Sequence, residues 1–211
     1  MTSATVGRRE SKRRETHDAL VASATELFAE HGYQATTVAA IAAAAGVSPR
    51  TFFGYFPTKE AVLFAPIEAI VEDIELELQN AEGLAFDIVR AWAVRTEPWF
   101  SRELPAIHAL LTRVSCEDDA LALRGVGYVE RAAMAVARRL RTEMDCDPDD
   151  ALPEMAALAT IAAFAAILPT RSGASRPTSA ERMGPRMLAD LDTAIAFARA
   201  GLEATRPTPS R

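Results

Sequence analysis

The chain has 211 residues, of which 49% are hydrophobic and 25% charged, and it carries a net charge of −6. That apolar share excludes wholesale disorder, and the acidic balance argues against a protein that coats nucleic acid without regard to sequence. Alanine dominates the apolar set and aromatic residues make up only 7%, a mix that favours helices. In chain order, residues 1–8 read as a disordered arm. Arg8, Arg9, Lys12, Arg13 and Arg14 cluster at this end, and residues 1–60 carry a net charge of +1 against −7 for residues 61–211. A basic arm on an otherwise acidic protein suits phosphate contact limited to one end; the alternative is an unstructured tail whose arginines do nothing specific. A first helix then runs to about His31, with Leu20, Ala24, Leu27, Phe28 and His31 at helical spacing on one face. Gly32 ends it, and His31 reads as a helix-end residue favoured by the dipole.

Residues 36–59 organise the rest. Thr37 can cap a short helix over 38–45, and Gly46 stops it by entering the left-handed conformation freely. Ser48 caps a second helix with Pro49 at its first position, and Pro57 confines that helix to about Phe56. Two short helices joined by a glycine turn form a helix-turn-helix. Val38, Ile41, Ala42, Val47, Phe52 and Phe56 close a three-helix core. The free face of the second helix carries Pro49, Arg50, Thr51, Phe53, Gly54 and Tyr55. Such a helix enters the DNA major groove with its N-terminal residues towards the base edges. Arg50 is the side chain able to make a bidentate contact to guanine. Thr51 suits a thymine methyl or a phosphate, and Tyr55 a phosphate oxygen. Lys59, behind a Thr58 cap, suits a point-charge phosphate contact. Thr37 and Ser48, at the two helix starts, complete the expected DNA-binding set.

The segments Glu26-Leu27-Phe28-Ala29-Glu30-His31-Gly32-Tyr33, Thr36-Thr37-Val38, Gly46-Val47-Ser48, Thr51-Phe52-Phe53, Tyr55-Phe56 and Thr58-Lys59-Glu60 together resemble the DNA-binding domain of the TetR/AcrR family of bacterial regulators. The resemblance covers about residues 14–64; the remaining two-thirds is similar only in being helical. It implies an all-α fold, with a three-helix DNA-binding domain followed by a helical body that dimerises and encloses a pocket for a small, partly hydrophobic inducer. Phe53 stands where relatives often have tyrosine, which removes a phosphate-bonding hydroxyl. Gly54 stands where they often have a large or basic side chain, so either the operator contact is smaller there or the backbone approaches the DNA closely. Ala40 leaves the reciprocal capping box without its acid.

The expected domains are the arm at 1–8, the DNA-binding domain at 9–58, the body at 59–204 and a disordered tail at 205–211. A helix from Thr58 to about Asn80 contains Pro66, which predicts a kink or break, and its Glu72, Asp73, Glu75 and Glu77 read as a solvated face. After Gly83, helices are expected over 84–99 and 106–115, with Pro98 and Pro105 punctuating a bend. Asp118 or Asp119 starts a helix to about Met144. Val129, Ala132, Val136 and Leu140 form its seam, and Arg131, Arg138, Arg139 and Arg141 lie on more exposed faces. Gly125 and Gly127 weaken its first turns or admit another helix or a ligand. Asp147-Pro148-Asp149-Asp150 opens a helix to about Leu168. Residues 170–178 read as a loop, and a last helix spans about 179–204.

Phe86, Trp92, Trp99, Phe100, His108, Tyr128, Met134 and Phe164 are the larger groups available to an effector pocket, with Arg95 or Arg113 for orientation. For a dimer interface the penultimate helix offers Met155, Leu158, Ala162 and Ala165. The last offers Leu188, Leu191, Ile195, Ala198 and Leu202. The alternative is that one chain buries both faces itself.

No Gly-rich phosphate loop or Cys/His metal spacing occurs, and His17, His31 and His108 stand apart from any nucleophile pattern. No catalytic residues, metal or cofactor are therefore expected. Cys116 and Cys146 read as free thiols. No secretory signal is recognisable, and the most apolar run, 155–168, is too short to span a bilayer, so a cytoplasmic protein is expected. The leading reading is a ligand-responsive DNA-binding repressor on a palindromic operator. Its rivals are an activator, and an all-helical small-molecule-binding protein or enzyme whose helix-turn-helix is only packing.

Overall fold

The computed structural model describes residues 3–147, 149–165 and 185–205, and every regular element among them is an α-helix. The chain divides into two units, Met1–Glu68 and Ala69–Arg211. The first contains α1 (Ser3–His31), α2 (Val38–Ala44), α3 (Pro49–Phe53) and the start of α4 (Lys59–Asn80). The second contains the rest of α4, then α5 (Ala85–Glu117), α6 (Asp119–Met144), α7 (Leu152–Ala165) and α8 (Pro185–Thr205). No helix among the described residues is long and apolar enough to cross a membrane.

In the first unit, α1 starts at Ser3, so residues 3–8 are helical where the sequence predicts a disordered arm. The good helix formers Arg8, Arg9, Glu10, Lys12, Arg13 and Arg14 follow directly, and the helix extends N-terminally from them; the Ser11 hydroxyl also donates to Glu15 Oε1 at 2.9 Å one turn on. The caps form as expected. Thr37 Oγ1 accepts from Ala40 N at 3.1 Å, Ser48 Oγ from Thr51 N at 3.1 Å, and Thr58 Oγ1 from Ala61 N at 3.2 Å. Each supplies a partner for a first-turn amide that the helix itself cannot satisfy. Gly46 has φ +68°, the left-handed turn between α2 and α3. The α3 helix ends at Phe53, a turn short of the expected Phe56, because Gly54 caps it and Pro57 disfavours helical backbone at Phe56. Leu20, Ala24, Phe28, Ile41, Ala42 and Phe52 are fully buried. Phe28 packs on Tyr33, and Phe56 on both Phe52 and His17. Each large side chain so buried stabilises the unit by about 1.5–3 kcal/mol.

In the second unit, α5 is one helix of 33 residues through both Pro98 and Pro105, where the sequence predicts two helices and a bend. Phe86, Val89, Trp92, Phe100, Leu104, Leu111 and Val114 keep one face buried along its length. The carbonyls that the prolines leave without a donor belong to Val94 and Ser101, both exposed, so water can replace the missing bonds. Pro66 is likewise accommodated within α4. Asp118 caps α6, accepting from Ala120 N at 2.9 Å. The α7 helix starts at Leu152, not at Asp147. Asp147 and Asp150 accept from the amides two residues on, at 2.9 Å each, and that local bonding favours a turn over a helix start. A Cβ placed on Gly127 would meet nothing within 4 Å among the described residues, so no described helix approaches closely there.

Of the acidic residues of α4 expected on a solvated face, Glu72 is exposed, whereas Asp73, Glu75 and Glu77 are engaged by other helices. Glu75 is paired by Arg131, whose Nη2 lies 2.6 Å from Oε2. Asp73 accepts from Trp92 Nε1 at 2.7 Å, and Glu77 from Arg95 at 2.7 Å. Arg139 donates to the Gly83 carbonyl at 2.6 Å, and Glu143 accepts the Ala85 amide at 2.6 Å. The last bond compensates for Leu84, an N-cap with no side-chain acceptor. Arg131, Arg139 and Arg141 are thus half-buried and engaged rather than free on outer faces; Arg141 pairs with Glu154 of α7.

Helix α7 packs between α6 and α8, and α5 packs on α6 and α8. Met187, Leu191, Ile195 and Ala198 of α8 are buried, as are Ala156, Ala157, Thr160 and Ile161 of α7. The central part of the expected dimer stripe, Leu191, Ile195 and Ala198, is therefore covered by the chain's own helices, while Leu188 and Leu202 are half-buried. Met155, Leu158 and Phe197 are exposed. The expected loop at 170–178, residues 206–211 of the expected tail and the side chains of Ala162, Phe164 and Ala165 lie outside the described residues, while Thr205, expected to open the tail, is the last residue of α8.

Candidate nucleic-acid interface

The fully buried Phe52 anchors α3, and the residues around it turn outward: Ser48, Pro49, Arg50, Phe53 and Gly54 are exposed, and Thr51 and Tyr55 are half-exposed. Arg50 sits in the first turn and makes no ion pair among the described residues, so its planar guanidinium is available for a base edge or a phosphate. The Ser48 and Thr51 hydroxyls lie 2.9 Å apart. One of their two hydrogens is used between them, and the other can go to a phosphate oxygen. Phe53 meets Phe52 edge-on at 5.5 Å and presents an apolar ring to solvent, a surface suited to a thymine methyl. Gly54 has φ −75°, which any residue adopts, but a Cβ there would lie 3.1 Å from the Thr51 carbonyl oxygen, a tight fit that favours glycine. Thr37 is exposed at the start of α2, with its hydroxyl oxygen occupied as the cap.

Lys59 departs from the expected set. It is half-buried, donates to the carbonyls of Tyr33 at 2.8 Å and Thr36 at 3.0 Å, and lies 4.1 Å from the Tyr33 ring centre. Next to it, the buried Tyr33 donates its hydroxyl to Glu60 Oε1 at 2.6 Å. That bond, helped by one from Thr58 and by the Lys59 charge, holds the Glu60 carboxyl below its ordinary value against the opposing effect of burial. The buried Thr36 hydroxyl is shared between the Gly32 and Leu27 carbonyls at 2.8 and 3.1 Å. Tyr33, Thr36, Lys59 and Glu60 thus tie the α1–α2 connection to the start of α4. The only sequence signal was Tyr33 itself, an apolar ring whose hydroxyl needs a partner when buried.

In the second unit the pocket candidates lie on α5 and α6, apart from Phe164, whose side chain is outside the described residues. Trp92 and Trp99 each meet Phe100 edge-on at 5.6 Å, with Trp92 bonded to Asp73. Phe86 lies instead under the Arg199 guanidinium of α8, 5.7 Å away. Tyr128 is buried and Met134 exposed. His108 is half-buried, and burial lowers its pKa, which keeps the imidazole neutral near pH 7. Arg95, a candidate orienting group, is committed to Asp73 and Glu77. No cluster of His, Cys, Asp and Glu among the described residues is arranged to hold a metal ion.

The model of a family described as bacterial regulatory proteins, tetR family, matches residues 20–65. Over 66 residues the chain is 52% identical to the HTH-type transcriptional regulator TcmR of Streptomyces glaucescens, a match taking in 31% of this chain and 29% of that regulator. It therefore spans under a third of that relative's length. Solved structures similar over most of the chain include the following two. One is a complex of SmeT with triclosan, with a TM-score of 0.61, 22% identity, and coverage of 88% of this chain and 90% of that one. SmeT is the repressor of the Stenotrophomonas maltophilia multidrug efflux pump SmeDEF. The other is Thermus thermophilus FadR, a TetR-family transcriptional repressor, bound to lauroyl-CoA, with a TM-score of 0.55, 22% identity and coverage of 92% and 98%. At such identity the likeness is one of fold.

Proposed function

The helix-turn-helix unit of this chain belongs to the TetR family of bacterial regulatory proteins, and on that premise we propose that the whole chain is a ligand-responsive transcriptional repressor acting in the cytoplasm. Two copies bind a palindromic operator, each inserting α3 into a major groove, since a two-fold protein reads a two-fold site. Residues 9–58 bind DNA; the body at 59–204 dimerises and takes the effector. The observation that carries the reading is Arg50, exposed and without an ion pair among the described residues, in the first turn of a helix anchored by Phe52. The exposed Met155, Leu158 and Phe197 support self-association through α7 and α8.

A small, partly apolar effector is supported by the Trp92–Phe100–Trp99 cluster and by the triclosan and lauroyl-CoA held by the two structural relatives. Release from DNA requires that the effector bind the non-binding arrangement more tightly; equal affinity for both would shift nothing. Fluorescence anisotropy of the full chain on a duplex that it selects from a random library, against a scrambled duplex, tests the proposal. We expect Arg50→Ala to cost about 1–3 kcal/mol of discrimination between the two while the mass of the protein stays unchanged. Equal affinity of the parent protein for both duplexes would overturn the regulator reading, and retained discrimination in Arg50→Ala would overturn the assigned base contact.

A further inference from the structure

Arg8, Arg9, Lys12, Arg13 and Arg14 fall within seven residues of a chain whose net charge is −6. All five are exposed, and none makes an ion pair among the described residues. Arg8 with Lys12 and Arg9 with Arg13 are pairs one helical turn apart, so these four cations share a face of roughly 140°. Glu10 falls outside that face. Like charges at this spacing repel, a cost that a bound polyanion relieves.

The position of the face matters as much as its sign. Residues 8–15 are all exposed, and from Arg8 onward the first buried side chain of α1 is Leu20. The basic segment therefore projects beyond the packed three-helix unit, with Arg8 about 13 Å along the axis from His17. The His17 ring lies 5.0 Å from that of Phe56, in the turn that follows α3. The projecting helix thus leaves the unit beside the end of the recognition helix, and Arg13 is one turn out from His17. On the regulator reading, a duplex held by α3 would present its phosphates to this region.

We propose that the face formed by Arg8, Arg9, Lys12 and Arg13 is a second DNA-binding surface, which grips backbone phosphates flanking the bases reached by α3. Guanidinium groups suit phosphate through paired hydrogen bonds, and such bonds add affinity without sequence information. The inference rests on the regulator reading, but it can fail separately.

The test compares the full chain with an Arg8→Gln, Arg9→Gln, Lys12→Gln, Arg13→Gln variant and with an Arg8→Lys, Arg9→Lys, Arg13→Lys variant. Binding is measured by anisotropy across about 50–200 mM salt, on the selected and scrambled duplexes, with short and long flanks. For the glutamine variant we expect the log–log salt slope to fall by about 0.9 for each phosphate no longer neutralised, roughly three units or more if all four cations engage. The ratio of selected to scrambled binding should hold. Trimming the flanks should weaken the parent protein and not the variant, and the lysine variant should keep the parental slope. Because the substituted residues are exposed, both variants should melt like the parent protein. An unchanged slope with retained binding overturns the inference alone. So does loss of discrimination, which would mean base reading. Phosphatidylserine vesicles serve as a control: cation-dependent vesicle binding with an unchanged DNA slope would assign the face to membranes and overturn it too. If the parent protein fails to discriminate duplexes, the regulator reading falls, and the slope on scrambled DNA still decides for or against this surface. Absence of any DNA binding overturns both.

Discussion

The Lys59 ammonium has three N–H donors, and the carbonyls of Tyr33 and Thr36 take two of them. One remains for a phosphate, so the side chain is first a clamp between the α1–α2 connection and α4. Lys59→Met leaves two carbonyls of buried residues without a charged donor. It should cost about 1.5–3 kcal/mol in denaturant unfolding of the first unit, with the salt slope of DNA binding unchanged. A slope lower by about one unit, with stability intact, would return Lys59 to the phosphate-binding set. The neighbouring Glu60 yields a pH prediction. Its pKa is lowered from an ordinary value near 4.5, chiefly by the Tyr33 hydroxyl. The native state then binds fewer protons than the unfolded chain between the folded pKa and that value. The stabilisation is complete above the ordinary value and is lost as pH falls through the folded one. Tyr33→Phe should therefore flatten the loss of thermal stability below pH 4.5. Parallel acid limbs for the two proteins would refute the coupling.

At the scale of elements, helix continuity follows burial more than propensity. α5 crosses two prolines because an unbroken apolar face holds it and the residues whose carbonyls are orphaned, Val94 and Ser101, are exposed. Glycine in α6 shows the converse, a local weakness that packing does not use. Gly127 is exposed in the helix interior, and a Cβ there has open space among the described residues. Gly127→Ala should stabilise the chain by about 0.5–1 kcal/mol, because alanine loses less backbone freedom on folding. A urea midpoint that rises without a change in slope would bear this out. A lowered midpoint would show that α6 needs the glycine for another reason.

For the molecule as a whole, the proposed dimer depends on which side of α8 faces outward. Leu191 is 0% exposed and Phe197 72%. Light scattering should find Phe197→Glu monomeric with its helicity intact, since the change falls on the outer surface alone. Leu191→Ala should instead destabilise the fold by about 2–5 kcal/mol, as a large side chain is removed from a closed core. A Phe197→Glu protein that keeps a dimer mass would move the interface elsewhere. The exposed Met155 and Leu158 on α7 complete the apolar surface in question, and the half-buried Leu188 and Leu202 lie between the two sides.

What the amino-acid sequence determined by itself is what a few neighbouring residues decide. Thr37, Ser48, Thr58 and Asp118 cap helices through bonds to amides two or three residues away, and Gly46 turns the chain through its own φ. Those interactions act within one turn, so composition and spacing reveal them, and the helix-turn-helix with them. Tertiary structure alone decided the rest. Lys59 finds carbonyls 26 and 23 residues back, and Glu75 meets Arg131 across 56 residues, where the sequence pointed to a phosphate contact and a solvated face. The stripe of α8 had the spacing of a dimer seam, but the chain's own helices cover its centre. An apolar stripe specifies that something must exclude water from it. Hydrophobic burial has no direction, so the stripe cannot name its partner, and only the packing of distant helices does.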